Sequence, residues 1–170
     1  GGAIACHSDE MKDKIDHLKN YGFEGETTII GTGINAKMNE FEAAMGLCVL
    51  EDIDLIFQER KTIWENYYTE LNSLFEMQSL NSRGSNNYNY FPVLFENEEK
   101  MLNARTAMNE KNIYPRRYFY PSLDTLEYIN ENSACKNSRD ISSRILCLPI
   151  YAGLGVGDQH SITEIIKRSL

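Results

Sequence analysis

The sequence is poor in basic charge. Its 17 Lys and Arg side chains are outnumbered by 25 Asp and Glu side chains, which gives a formal net charge of −8. Proteins that bind nucleic acid draw their affinity from clustered basic side chains that neutralise phosphates. The composition therefore argues against a nucleic-acid partner, and any site for an anion must be built locally from a few cations.

Cysteine is scarce as well, with four residues and no C-x-x-C pair. The three histidines are far apart and show no metal-ligand spacing. Such a pattern predicts neither a zinc site nor a disulfide framework. We expect Cys6, Cys48, Cys135 and Cys147 to be buried, reduced thiols, and we expect no metal site.

Long hydrophobic runs are missing too. No stretch approaches the roughly 20 apolar residues that cross a bilayer, and no secretory leader pattern opens the chain. We therefore expect a cytoplasmic protein without a membrane partner. The chain also begins without methionine, since Gly1 and Gly2 lead directly into the apolar run 3–6, so we expect a further segment before it. With 42% hydrophobic residues in 170, the chain can bury a core.

Predicted strands and helices alternate along the chain, which indicates an α/β or α+β architecture with helices packed on a small sheet. The run 3–6 is predicted as a strand. Ser8 is expected to cap the helix that follows, and the glycine-rich stretch 22–35 is predicted as a loop. After residue 80 the pattern predicts strands at 88–95 and 145–148, extended backbone at 113–120, helices at 97–110, 126–129 and 138–144, and a terminal helix capped by Asp158.

Asn39 begins the longest predicted helical region, with Glu42 as the reciprocal partner in a capping box. Met38, Phe41 and Met45 form an apolar stripe on its first part, which we interpret as core or dimer interface. The stripe resumes after Asp52, which is expected to restart the helix as a second N-cap. Pro92 makes the strand at 88–95 an edge or bulged strand.

The segment from Gly33 to Leu47, GINAKMNEFEAAMGL, followed by Leu50, Ile53 and Arg60, resembles the signature of the DegT/DnrJ/EryC1/StrS family of sugar aminotransferases. The segments 117–121 and 146–151 look like later landmarks of that family. The residue pattern at 115–123 looks closest to that of family members that act on dTDP-4-keto- or 3-keto-6-deoxyhexoses. The resemblance covers nearly the whole chain.

The resemblance implies the C-terminal part of a fold-type-I enzyme dependent on pyridoxal phosphate. The family's Schiff-base lysine would lie before Gly1, so the chain holds no catalytic residue and should be silent alone. Residues 1–36 would be a remnant of the large cofactor-binding domain and a connecting loop, 37–80 a connecting and dimer-forming helical region, and 81–170 the small domain. Glutamate would donate the amino group to a keto sugar nucleotide, and the enzyme would be a homodimer.

The resemblance also assigns binding residues. Asn35 matches an asparagine that reaches the cofactor phosphate of the other subunit, and Lys37 is either a second cation beside that phosphate or an exposed lysine at a helix start. Arg116, Arg117, Tyr118 and Tyr120 are candidates for the substrate's diphosphate and sugar, since guanidinium groups match phosphate oxygens and tyrosines stack and hydrogen-bond. The alternative is an edge strand with outward arginines.

Three departures or alternatives stay open. Ser122, Leu123 and Asp124 stand where many relatives carry a histidine after the proline, which leaves a substrate contact there undefined. A histidine in place of the missing lysine would make the parent enzyme a sugar dehydratase of the same fold. A stand-alone dimerisation or sugar-nucleotide-binding module is the third reading. Tyr88 and Tyr90 are weaker candidates for the cleft.

Overall fold

The computed structural model describes residues 2–129 and 134–169. The chain divides into two compact units, 1–53 and 54–170. The domain boundaries predicted at residues 36 and 80 stay predictions. No helix within the described residues combines the length and the apolarity that a membrane span requires.

The first unit begins with helix α1, Asp9–Lys19, which Ser8 caps as predicted by accepting a hydrogen bond from the backbone N–H of Met11. The strand predicted at 3–6 is wrong, because that run has no neighbouring strand among the described residues to pair with. The predicted loop at 22–35 contains an antiparallel hairpin of two short strands, β1 (Phe23–Glu24) and β2 (Thr28–Ile29). The loop prediction therefore missed local strand pairing.

Helix α2, Glu40–Glu51, completes the first unit and starts with the predicted capping box. The Asn39 side chain accepts from the Glu42 N–H, and the Glu42 carboxylate accepts from the Asn39 N–H, at 2.9 and 3.2 Å. No residue of α2 is buried: Phe41 is 91% exposed and Met45 66%. The stripe that we interpreted as core or dimer interface is therefore not core within this chain.

The second unit packs four helices with a short antiparallel sheet. Its elements are α3 (Ile53–Leu71), which begins directly after Asp52 closes α2, β3 (Phe91–Leu94), α4 (Glu98–Asn109), α5 (Lys136–Arg144), β4 (Ile145–Leu148) and α6 (Val156–Lys167). Apolar side chains of α3, both strands, α4 and α6 meet in one core. The fully buried large members are Tyr67, Leu71, Phe91, Phe95, Met101, Met108, Leu146, Ile162 and Ile166. The predicted α/β class is confirmed.

Pro92 lies inside β3, which is an unusual place for a residue without an N–H. Its register partner is Cys147 in β4. Both backbone groups of Cys147 bond to Arg116 on the opposite side, at 2.8 and 3.0 Å, so the pair of Pro92 and Cys147 is a non-hydrogen-bonded position. The missing donor therefore removes no bond to β4, and β4 itself lies between β3 and the segment at Arg116.

Two predicted helix positions in this unit are wrong. Helix α6 is capped by Gly155, and Asp158 lies in its first turn, where a carboxylate favours the helix dipole. The helix predicted at 126–129 is replaced by a 3₁₀ turn at Leu123–Thr125, because Ser122 accepts there from both the backbone N–H and the hydroxyl of Thr125. The helices predicted at 97–110 and 138–144 are confirmed as α4 and α5.

The expectation of buried thiols holds for one cysteine. Cys147 is buried, and burial raises the pKa of its thiol to about 11. Cys48 and Cys135 are exposed, and Cys6 is half-buried. The prediction was wrong for these three because their apolar neighbours in sequence do not cover them in the fold.

Candidate functional site

The backbone around Asn35 is fixed along the end of α1. Asn35 forms an antiparallel bridge with Asn20. On either side of it, the N–H groups of Ile34 and Ala36 donate to carbonyl oxygens of Leu18 and Lys19 at 2.8 and 2.9 Å. These hydrogen bonds form a short ladder along the end of α1. The ladder holds 34–36 in an extended conformation, although neither 34–36 nor the end of α1 is a regular strand.

The side chains of Asn35 and Lys37 are both exposed on this segment. The Asn35 amide has no hydrogen-bond partner among the described residues. Lys37 Nζ donates to Asn20 Oδ1 at 2.8 Å and lies 5.2 Å from the centre of the Tyr21 ring. An ammonium has three donors, so two remain, and residues i and i+2 of extended backbone project to one side. The Asn35 amide and two of the Lys37 donors are thus available to a ligand.

In the second unit, the four predicted substrate residues lie on the segment that pairs with β4 through Arg116. Arg117 turns into the protein, where its side chain is 13% exposed. Its guanidinium contacts the Glu98 carboxylate, donates to the Ser143 carbonyl at 2.8 Å and lies 3.4 Å from the centre of the Tyr120 ring. Arg117 and Tyr120 therefore come together against α4 and the end of α5.

Arg116 and Tyr118 lie on a different face, in an open cleft of about 740 Å³. Arg116 donates to the Tyr118 hydroxyl, and its Cζ lies 5.4 Å from the centre of that ring. Tyr90 meets Tyr118 edge to face at 5.4 Å and lines the same cleft. Tyr88 instead packs on Trp64, with ring centres 6.1 Å apart. The structure thus brings together Arg116, Tyr118 and Tyr90.

Four further residues of this cleft had not been predicted as site residues from the sequence: Lys111, Tyr114, Tyr151 and Asp158. Tyr114 could have been found, because it precedes Arg116 by two positions on the predicted extended segment and so shares its side. Tyr151 and Asp158 follow β4 along the chain. Their place beside Arg116 depends on the tertiary packing of the chain after β4, for which the local sequence carries no signal.

A polar network orders the loop beyond Pro121. The Asp124 carboxylate accepts from the Ser122 hydroxyl, from the Cys135 N–H at 2.8 Å and from Arg139 Nε at 2.7 Å. These hydrogen bonds, with that from Ser122 the largest cause, lower the pKa of Asp124 to about 2. In this chain Ser122 and Asp124 therefore hold the loop.

The low pKa of Asp124 predicts a pH-dependent stability. A carboxylate whose pKa is lower in the folded state stabilises the fold above its unfolded pKa, near 3.8, and that contribution is lost as the pH falls towards 2. We expect Asp124→Asn to lower the melting temperature at pH 6, and the difference from wild type to shrink to a small part of that value at pH 2. Melting curves at pH 6, 4 and 2 measure it. Glu127→Gln, on the same loop, is the control, and an equal deficit for Asp124→Asn at all three values would contradict the assignment.

The chain is similar to known proteins over nearly its whole length. The model of the DegT/DnrJ/EryC1/StrS aminotransferase family matches residues 1–167. A dTDP-4-amino-4,6-dideoxy-D-glucose transaminase of Shigella dysenteriae is 40% identical over 174 residues, covering 98% of this chain and 47% of the relative. A transaminase of the same name from Escherichia coli is 33% identical, with the same coverage. The chain spans about half the length of the curated relatives it matches.

Solved structures share the fold. An aminotransferase of this family from Brucella abortus superposes with a TM-score of 0.84 at 20% identity, covering 95% of this chain and 44% of that one. DesV of S. venezuelae, solved with a ketimine intermediate, gives 0.85 at 16% identity, covering 95% and 44%. Aminotransferases of the family depend on pyridoxal phosphate. The match over residues 1–167 establishes that this chain belongs to the DegT/DnrJ/EryC1/StrS aminotransferase family.

Proposed function

We propose that this chain acts as part of a pyridoxal-phosphate-dependent transaminase that moves an amino group from glutamate to a keto sugar nucleotide. A dTDP-linked keto-6-deoxyhexose is the proposed acceptor. Support comes from the two relatives above, both of which are dTDP-4-amino-4,6-dideoxy-D-glucose transaminases. The cytoplasmic location expected from the sequence belongs to the same proposal.

The observation that carries the proposal is the pair of free donors on the Asn35 segment. Bound pyridoxal phosphate supplies the electron sink for amino transfer. The chain's own contribution is to hold the phosphate: the Asn35 amide donates to one oxygen, and the Lys37 ammonium adds charge from a position fixed by Asn20. The ladder along α1 fixes the backbone at 34–36 and Asn20 holds the Lys37 ammonium before binding, which lowers the entropic cost of binding.

We also propose that the protein is a homodimer that uses the exposed face of α2. Met38, Phe41, Met45, Val49 and Leu50 line a shallow apolar depression there, with Gly46 among them. An added Cβ on Gly46 would meet nothing within 4 Å in this chain, so the surface is open to a partner. Exposed apolar patches of this kind mark protein interfaces, and the proposed partner is a second copy of the same protein.

Replacing Asn35 with alanine tests the cofactor role. The measurement uses a chimera in which this chain takes the place of the matching part of the Shigella dysenteriae relative. A hydrogen bond to a charged group contributes about 1.5–3 kcal/mol, so Asn35→Ala should weaken pyridoxal phosphate binding by about 10- to 100-fold. Fluorescence titration gives the dissociation constant. Asn103→Ala, an exposed asparagine on α4, is the matched control.

The same chimera discriminates between the readings of function. With glutamate and a dTDP-linked 4-keto-6-deoxyhexose, the proposal expects the amino sugar and 2-oxoglutarate. Loss of water from the sugar without amino transfer would favour the dehydratase. A chimera that dimerises and binds the nucleotide but converts nothing would favour the non-catalytic module.

A further inference from the structure

We propose that Asn20 is a positioning residue: its side chain orients the Lys37 ammonium without neutralising it, so that the positive charge stays available to the cofactor phosphate. The inference rests on the proposed function, in which Lys37 adds charge beside that phosphate. Asn20 lies well before the segment 33–47 that carries the family resemblance.

Asn20 meets the Asn35 segment with both its backbone and its side chain. It is the C-cap of α1, where its N–H donates to the His17 carbonyl at 3.1 Å and its carbonyl accepts from the Phe23 N–H at 3.0 Å. It also forms the bridge with Asn35, and its Oδ1 accepts from Lys37 Nζ at 2.8 Å. The backbone of Asn20 therefore serves the end of the helix, and its side chain oxygen serves Lys37.

Tyr21 supplies the second contact of the same ammonium. Its ring centre lies 5.2 Å from Lys37 Nζ, within the range of cation–π attraction. Tyr21 has a φ of 59°, a left-handed conformation that residues other than glycine seldom adopt. Its N–H donates to the Ile34 carbonyl at 3.0 Å, which ties this turn to the Asn35 segment. Two neighbouring residues thus restrain a lysine side chain that would otherwise sample many rotamers.

Both of these contacts are neutral. No carboxylate lies within ion-pair distance of the Lys37 ammonium among residues 2–129 and 134–169, and Asp16, near the end of α1, is bound by Lys12 and Lys19. An amide oxygen orients an ammonium and leaves its net charge intact, whereas a carboxylate would cancel that charge. In a chain of net charge −8, Asn20 therefore preserves a local positive charge that an acidic residue in its place would remove.

Titration of pyridoxal phosphate into the chimera tests the assignment. Asn20→Ala removes the acceptor and should weaken binding by about 3- to 10-fold. Asn20→Asp keeps the shape and the acceptor but cancels the charge, so it should weaken binding at least as much. Asn72→Ala, which removes the exposed asparagine that follows α3, is the matched control and should bind like wild type. Wild-type affinity in either Asn20 variant would overturn the proposal, because a role confined to the shape of the turn tolerates Asn20→Asp.

A double-mutant cycle with Lys37→Met shows whether Asn20 acts through Lys37. Methionine keeps most of the lysine stem and removes the charge. In the Lys37→Met background, Asn20→Ala should change the dissociation constant by less than about twofold. An equal fold-change in both backgrounds would show that Asn20 does not act through the ammonium, and the proposal would then be wrong.

Hydrogen exchange of the 170-residue chain separates this role from support of the backbone. The amides of Ile34 and Ala36 donate to carbonyls of Leu18 and Lys19, so none of these bonds uses the Asn20 side chain. Their protection in Asn20→Ala should therefore equal that in wild type. Loss of protection would mean that Asn20 holds the backbone of the segment, which contradicts a positioning role through Lys37.

The outcome is separable from the proposed function. A chimera that shows the expected cycle but transfers no amino group from glutamate would refute the transaminase and leave the role of Asn20 standing. Weaker cofactor binding in Lys37→Met together with unchanged binding in Asn20→Ala would refute the role of Asn20 alone.

Discussion

Replacing Phe91 with alanine is expected to lower the free energy of unfolding of the second unit by about 3–5 kcal/mol. The Phe91 ring is fully buried. It packs against Tyr67 and Trp64 of α3, with ring centres 5.2 and 5.4 Å away, and it faces Leu148 in the register of the sheet. A cavity between a helix and a sheet collapses poorly, because neither can move without breaking its own hydrogen bonds.

An effect of that size is a large part of the stability of a small domain, which is about 5–15 kcal/mol. Denaturant titration followed by Trp64 fluorescence measures it, since Trp64 is the chain's one tryptophan and contacts the ring that is removed. Phe119→Ala is the control, because Phe119 is 73% exposed and its loss should cost less than about 1 kcal/mol. Equal midpoints for the two variants would show that Phe91 is not a core anchor.

The second large effect is expected in the first unit, at Gly33. A Cβ at this position would lie 2.2 Å from the backbone nitrogen of Gly22, 2.5 Å from the carbonyl carbon of Tyr21 and 2.8 Å from the carbonyl oxygen of Leu18. All three are main-chain atoms that cannot rotate away. Gly33→Ala should therefore separate the Asn35 segment from the end of α1, at a cost of about 3 kcal/mol.

Hydrogen exchange reads this change directly. The amides of Ile34 and Ala36 are protected by their bonds to α1, and in Gly33→Ala they should exchange like amides of an open loop. Gly31→Ala is the matched control in the same stretch, because its Cβ would meet nothing within 4 Å. Unchanged protection in Gly33→Ala would mean that the contact with Gly22 does not hold the segment.

Elements with a local cause could be predicted. The capping box of Asn39 with Glu42 and the cap at Ser8 depend on side chains within three residues of the bonds they make, so the sequence contains both partners. Buried strand β4 was also predicted, since four consecutive apolar residues need a core on at least one side. The strand at 3–6 failed for the opposite reason, because a strand forms only when another supplies its hydrogen bonds.

The candidate site shows the same limit. Resemblance to the family singled out Asn35 and the run 116–120, yet four adjacent candidates are divided between two surfaces in the fold. The sequence does not predict whether Arg116 or Arg117 pairs with a carboxylate of a distant helix. Glu98, which holds Arg117, is nineteen residues away along the chain.

By itself the sequence determined the family, the α/β class and the starts of α1 and α2, because each depends on a local pattern of side chains. The tertiary structure decided what surrounds each candidate. It leaves Arg116 with free donors in a tyrosine-lined cleft, buries Arg117 against α4 and leaves the apolar face of α2 uncovered in the chain. Burial and charge pairing arise from contacts between residues far apart in sequence, and only the folded chain brings those residues together.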